Sequence, residues 1–312
     1  MMLAACLAVQ AGAAGAGGGA KGPALRRAGV AAPGQARRQR AVPNDVELIR
    51  DVVFGTGGGR ELRLNIIRPK NPPQKPMPVV VWIHGGAWRA GTKEGLRTVP
   101  LAQRGYFTVS IEYRLSQEAI FPAQIHDCKA AIRWLRAHAE QYNIDPERIG
   151  VWGASAGGHL AALLGTSAGV AELEGEGGWA EFSSRVQAVC DFYGPTDFPK
   201  MGGWHNLPNS PEHQLIGGSW EEKAELVRLA NPITHVTPDD PPFLIVHGEE
   251  DRTVPINQSE MLYQALKKAG VEVTFVRVQN GGHGFKGNCK PTPQEITQMV
   301  IEFFDKHLRG GV

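Results

Sequence analysis

Gly153-Ala154-Ser155-Ala156-Gly157 sets a serine among small residues in the pattern G-x-S-x-G. The apolar run 149–152 precedes it and an Ala-rich segment, 156–165, follows. A serine on a tight strand-to-helix turn stands clear of a sheet edge, where its hydroxyl becomes a nucleophile once a base removes the proton. The plainer reading is a serine capping a helix in a Gly/Ala-rich turn. A base and an acid are therefore needed, in the order serine, acid, histidine. Glu249, Glu250 and Asp251 compete on the loop after 243–246; Asp251, third after Gly248, is the chosen acid. Beyond it only His283 and His307 remain. His307 falls in an amphipathic C-terminal helix, whereas His283 sits in the Gly-rich loop Asn280-Gly281-Gly282-His283-Gly284-Phe285 directly after a strand. Asp251 would fix the tautomer of His283 and stabilise its imidazolium. His84-Gly85-Gly86-Ala87-Trp88 follows the run 79–83, and its glycines let backbone N–H groups turn toward a developing oxyanion. Gly86, Ala87 and Ala156 are the candidate donors. Together these residues could carry acyl transfer.

Such residues need a sheet whose strand ends converge. The sequence predicts strands at 46–54, 61–68, 79–83, 107–112, 149–152, 186–192, 243–246 and 272–278. A Gly-rich hairpin at 55–59 joins the first two. Helices are expected at 122–141, 156–165, 258–269 and 293–308. Continuous apolar strands alternating with helices imply an α/β protein: a doubly wound, mostly parallel eight-stranded sheet with helices on both faces. Two Gly/Pro/Trp-rich insertions, about 168–184 and 197–236, interrupt the alternation, and the second is long enough for a lid.

The 312 residues carry a net charge of +2, too little for a basic nucleic-acid binder, and no apolar run of about 18 residues crosses a membrane. That balance divides unevenly. Residues 1–44 hold 14 Ala, 8 Gly, six basic residues and no acid, which leaves 45–312 at −4. The segment has no apolar periodicity and reads as a disordered tail or a processed leader, with 45–312 as the catalytic domain. Residues 3–9 resemble the end of a signal h-region with Ala11-Gly12-Ala13 as a cleavage site, and Leu3-Ala4-Ala5-Cys6 resembles a lipoprotein cleavage box, both without the preceding residues they need. Export to the periplasm or beyond is the expectation, and a cytoplasmic protein the alternative. Cys128, Cys190 and Cys289 permit at most one disulfide in the domain, and the histidines show no metal-ligand spacing. No metal and no cofactor is expected.

The motifs around Gly86, Ser155, Asp251 and His283, with Glu112-Tyr113-Arg114-Leu115, Phe121-Pro122-Ala123-Gln124, Asp191-Phe192-Tyr193-Gly194-Pro195 and Ser210-Pro211-Glu212, resemble the α/β-hydrolase superfamily. In particular the chain is similar to the bacterial acetyl/feruloyl esterase-like branch related to hormone-sensitive-lipase esterases. Its oxyanion loop departs from the H-G-G-G of the best-known lipases, and H-G-G-x-W also occurs in kynurenine formamidases. The resemblance implies a serine carboxylic-ester hydrolase acting through an acyl-enzyme, on short acyl or feruloyl esters of carbohydrates. Amide hydrolysis, by an arylformamidase or a peptidase-like enzyme, is the alternative, and a non-catalytic binding module the third reading. Trp88, Tyr113, Phe121, Trp204 and Phe285 are candidate walls of the substrate pocket, set against roles as packed or singly exposed aromatics.

Overall fold

Gly58 and Gly59 both take positive φ, 59° and 80°, a turn geometry open to glycine without steric cost. In the computed structural model, which describes residues 42–310, they reverse the chain between β1 (Val46–Gly57) and β2 (Arg60–Pro69). Six further strands follow: β3 (Met77–Ile83), β4 (Phe107–Ile111), β5 (Ile144–Ala154), β6 (Ala188–Phe192), β7 (Phe243–Gly248) and β8 (Val273–Val278). They form one sheet in the order β1-β2-β4-β3-β5-β6-β7-β8. The pairings β1–β2 and β2–β4 are antiparallel and the other five are parallel. Every residue of β3, β4, β6 and β7 is buried, as strands covered on both faces require.

The helices are α1 (Val99–Ala102), α2 (Ala123–Ala137), α3 (Ala139–Tyr142), α4 (Ala156–Thr166), α5 (Pro211–Ile216), α6 (Ala224–Ala230), α7 (Asn257–Ala269) and α8 (Pro293–Arg309). The helix expected over 122–141 is interrupted at His138 (φ −108°, ψ 19°). α1, α5 and α6 span four, six and seven residues, too short for a 3.6-residue period to show. Side chains alternate across β3. Val79, Val81 and Ile83 pack with residues of α2, α4 and α7, while Val80 and Trp82 pack with α1 and α8. Gly150 lets α8 close on β5: a Cβ there would lie 2.6 Å from the Phe304 ring.

Most of α2 is buried, including Lys129, Arg133 and Arg136. The insertion after α4 covers them. Lys129 Nζ donates to Ser167 O and Glu174 Oε1, Arg133 to Glu174 O and Gly178 O, and Arg136 to Ser183 O and Arg185 O, all at 2.6–3.0 Å. Buried cations need such partners, and these tie the insertion down. Cys128, Cys190 and Cys289 are buried free thiols. The tail and export readings fall almost wholly on residues 1–41, outside the described residues.

Candidate active site

The Ser155 turn is built from close backbone approaches. A Cβ on Gly153 would lie 1.9 Å from Gly157 O, and one on Gly157 would lie 2.1 Å from Ile83 O. Neither position admits a side chain. Between them Ser155 takes φ 57° and ψ −123°, a strained geometry for a non-glycine residue. Its N–H donates to Phe192 O at the end of β6, 2.8 Å away. Positive φ recurs at Ala87, Trp88, Tyr193 and Phe285, on the loops after β3, β6 and β8, so strain gathers around this serine.

Of the three competing carboxylates, Glu249 is exposed and paired with Arg277, and Glu250 is exposed. The Asp251 side chain is fully buried. Its Oδ1 accepts the N–H groups of Thr253 and Val254 at 2.7 and 2.9 Å. Its Oδ2 accepts His283 Nδ1–H at 2.7 Å. Burial alone would raise this carboxyl, but the adjacent His247 and His283 imidazoles and the Val254 amide outweigh it and hold it well below the usual carboxylate range. The two loops also bond directly, Glu249 N–H to Val278 O at 3.0 Å and Glu250 N–H to Gly281 O at 2.9 Å.

His247 was not singled out in the sequence. It is buried in β7, its Nε2–H donating to Val254 O at 2.9 Å, with the Ser259 hydroxyl 2.7 Å from Nδ1. Its position four residues before an acid loop is the only signal the sequence offers. Tyr193 follows Phe192, whose carbonyl holds Ser155, and its ring centroid lies 4.5 Å from that of His283. No hydrogen bond joins the Ser155 hydroxyl to the His283 ring among the described residues. Catalytic hydrogen bonds are often this loose before substrate binds.

Loop 84–88 presses on the serine, with a Cβ on Gly85 3.2 Å from Ser155 Cβ and 2.6 Å from Ala154 O. Among the described residues the N–H groups of Gly86, Ala87 and Ala156 have no acceptor, so three amide donors stand free beside the turn. His84 is a brace: its Nδ1 is 2.9 Å from Gly85 O and its ring stacks 4.4 Å from that of Tyr113.

The pocket aromatics divide. Tyr113 and Phe121 are about 1% exposed, so they cannot offer a face to substrate. Tyr113 instead donates its hydroxyl to His84 O at 3.0 Å. Trp88 is equally buried and donates Nε1–H to His159 Nδ1 at 3.2 Å. His159 Nε2–H in turn donates to Ala230 O at 2.7 Å. One accepting and one donating nitrogen make His159 neutral, and burial pushes it down to about 4. These three residues shape the oxyanion loop from behind. Phe285 packs on Phe192 and Tyr193 at 5.2 and 5.0 Å. Trp204 is 46% and Leu207 57% exposed, both in the insertion 197–236. That insertion reaches the oxyanion loop through Arg89 and Gln214, 3.4 Å apart, and through Phe198, 5.4 Å from Trp88. A cavity of about 820 Å³ lies elsewhere, lined by Gly57–Gly59, Arg114 and Asp127 with the insertion after α4 and by no candidate catalytic residue.

The family model of BD-FAE matches residues 64–266, a span that includes the oxyanion loop, the Ser155 turn and Asp251. The chain belongs to the BD-FAE family. This BD-FAE protein has the α/β-hydrolase fold and is a serine esterase, a carboxylic ester hydrolase. It is 33% identical over 296 residues to Esterase LipQ of Mycobacterium tuberculosis, covering 91% of this chain and 68% of LipQ. Among solved structures it is similar to a truncated carbohydrate esterase from gut microbiota: TM-score 0.77, 33% identity, 86% of this chain and 100% of that one. It is also similar to the propionate-bound esterase Est2 of Thermogutta terrifontis: TM-score 0.69, 27% identity, 84% and 94% of the two chains. No described helix is long and apolar enough to cross a membrane.

Proposed function

We propose that this esterase removes short acyl or feruloyl groups from carbohydrates through an acyl-enzyme on Ser155. The carrying observation is the 2.7 Å bond between buried Asp251 and His283, on the loops after β7 and β8. Asp251 leaves His283 Nε2 free to accept. Ser155 Oγ attacks the ester carbonyl and passes its proton to Nε2. The carbonyl oxygen becomes an oxyanion between the free amides of Gly86, Ala87 and Ala156, each worth about 3–4 kcal/mol in such a site. Collapse breaks the bond to the alcohol, which takes the proton from His283. Water, deprotonated by the same nitrogen, releases the acid and restores Ser155.

The carbohydrate side of the reading is supported by similarity to the gut carbohydrate esterase, and the short acyl group by similarity to the propionate-bound Est2. Exposed Trp204 and Leu207, on the insertion whose Phe198 and Gln214 reach the oxyanion loop, offer apolar faces for a sugar or an acyl chain. A panel of acetylated xylan, methyl ferulate, p-nitrophenyl acetate and an N-formyl-arylamine tests it. Turnover of acetylated xylan or methyl ferulate is expected; turnover of the formamide alone would overturn the reading.

A further inference from the structure

Arg97 is exposed and has no carboxylate partner among the described residues. Its guanidinium carbon lies 5.8 Å from the Trp82 ring and 6.0 Å from the Trp152 ring, two indoles set edge to face at 5.1 Å. The cation sits within reach of the rings' attraction, and its fork of N–H donors has no partner among the described residues. Trp152 Nε1–H, in one of those rings, is buried with no acceptor. The platform adjoins the active site. Trp152 stands three residues before Ser155 and packs 5.3 Å from Phe192, the residue that holds the Ser155 amide. Tyr193, next in the chain, lies against His283. Burial pushes the Tyr193 phenol up to about 12, and the nearby Arg97 charge opposes that rise.

A second observation is independent of Arg97. Arg89, Arg252 and Lys286 are also exposed and without ion-pair partners among the described residues, and they lie on the loops after β3, β7 and β8. Each is within three residues of Trp88, Asp251 or His283. Glu250 is the unpaired carboxylate among them, since Glu249 pairs with Arg277. Cations therefore collect at the catalytic edge of a domain whose net charge is −4. Such a field draws an anionic substrate toward the site.

We propose that Arg97, with these flanking cations, binds a carboxylate on the alcohol half of the ester, so that the preferred substrate is an acylated saccharide bearing uronic acid. The inference rests on the carbohydrate-ester reading above. The alcohol half is the part that leaves with the proton of His283; Tyr193 lies against that histidine, and the Arg97 platform reaches it through Phe192, which packs on both Trp152 and Tyr193. A planar guanidinium matches a carboxylate with two parallel hydrogen bonds, a match a lysine ammonium makes only in part.

The test compares wild type, Arg97→Gln and Arg97→Lys on acetylated oligogalacturonide and on acetylated xylo-oligosaccharide of equal length. Wild type should favour the uronide, less so as salt rises. Arg97→Gln should lose about tenfold or more in kcat/KM on the uronide, mostly through KM, and stay within about twofold on the neutral ester. Arg97→Lys should recover part of the loss. Turnover of the neutral ester reports that the variant is folded. Equal rates of wild type on both esters, or an equal effect of Arg97→Gln on both, would overturn this inference alone. Failure of wild type on both saccharides, with p-nitrophenyl acetate still cleaved, would overturn the carbohydrate reading and this one with it.

Discussion

His247 Nε2 stands 3.5 Å from Asp251 Oδ2, the same oxygen that accepts the hydrogen bond from His283 Nδ1–H. The carboxylate is thus gripped from three sides: two amides on Oδ1 and an imidazole either side of Oδ2. Its charge is kept, and its direction toward His283 is fixed. Asp251→Asn should cut kcat by about 10³–10⁴, because the amide can present the wrong partner to Nδ1 and so the wrong tautomer. His247→Gln removes only a support and should cost about tenfold in kcat with little change in KM. Steady-state rates on p-nitrophenyl acetate check both; an Asp251→Asn variant with a tenth of wild-type activity would discredit this acid.

The oxyanion loop depends on Gly86. It takes φ 124°, and a Cβ there would sit 2.1 Å from Ala90 O. Gly86→Ala must shift the loop that carries the free amides, so kcat should fall by about 10²–10³, the usual cost of one lost donor. A thermal melt alongside separates local from global damage: the expected loss of stability is about 1–3 kcal/mol.

Ser155 holds strained backbone for the sake of its hydroxyl. Ser155→Gly should relieve that strain, raising stability by about 1 kcal/mol and Tm by about 2–4 °C while abolishing turnover. Calorimetry of the variant checks this. An unchanged or lower Tm would mean that φ 57° is not costly here.

How much of this was legible in the sequence varies by residue. Ser155, Asp251 and His283 stood out because a nucleophile turn, an acid loop and a Gly-rich loop each directly follow a strand, and Asp251 and His283 are hydrogen-bonded. The strands showed because short apolar runs, or in β1 and β2 alternating ones, are bounded by turn residues and alternate with helical segments. Tyr113 and Phe121 misled, since an aromatic just past a strand end reads the same whether it faces a cleft or the core. Lys129, Arg133 and Arg136 lie on a face of α2 that is solvent-like by type, and burial came from an insertion distant in sequence. His247 sits within an apolar strand, and its role depends on the carboxylate that chain reversal brings back to it.

Two buried groups oppose each other in pH dependence. Burial pushes Asp191 up to about 6, against the Gly194 N–H bond and the His247 charge, from an ordinary 3.8. Between pH 4 and 6 the folded state therefore binds more protons at this site, and stability falls as pH rises. His159 goes the other way. Its folded value of about 4 lies below the ordinary 6.5, so stability is full above pH 6.5 and lost as pH falls toward 4. The two effects are opposite in sign and of the same order, about 3 kcal/mol each. Asp251 acts only below about pH 4, outside this window. Asp191→Asn should leave stability rising from pH 4 to 6.5, and His159→Gln should leave it falling. Urea midpoints at several pH values measure the slopes; the same slope in both variants would contradict the assignment.

The central claim is that Ser155 becomes acylated. The direct measurement is intact-protein mass spectrometry after a fluorophosphonate probe, followed by peptide mapping, for wild type and Ser155→Ala. The account predicts one adduct, on the peptide carrying Ser155, formed slowly or not at all in Asp251→Asn and absent in Ser155→Ala. Labelling that persists in Ser155→Ala alongside undiminished ester turnover, or an unlabelled wild type that still cleaves esters, would contradict it.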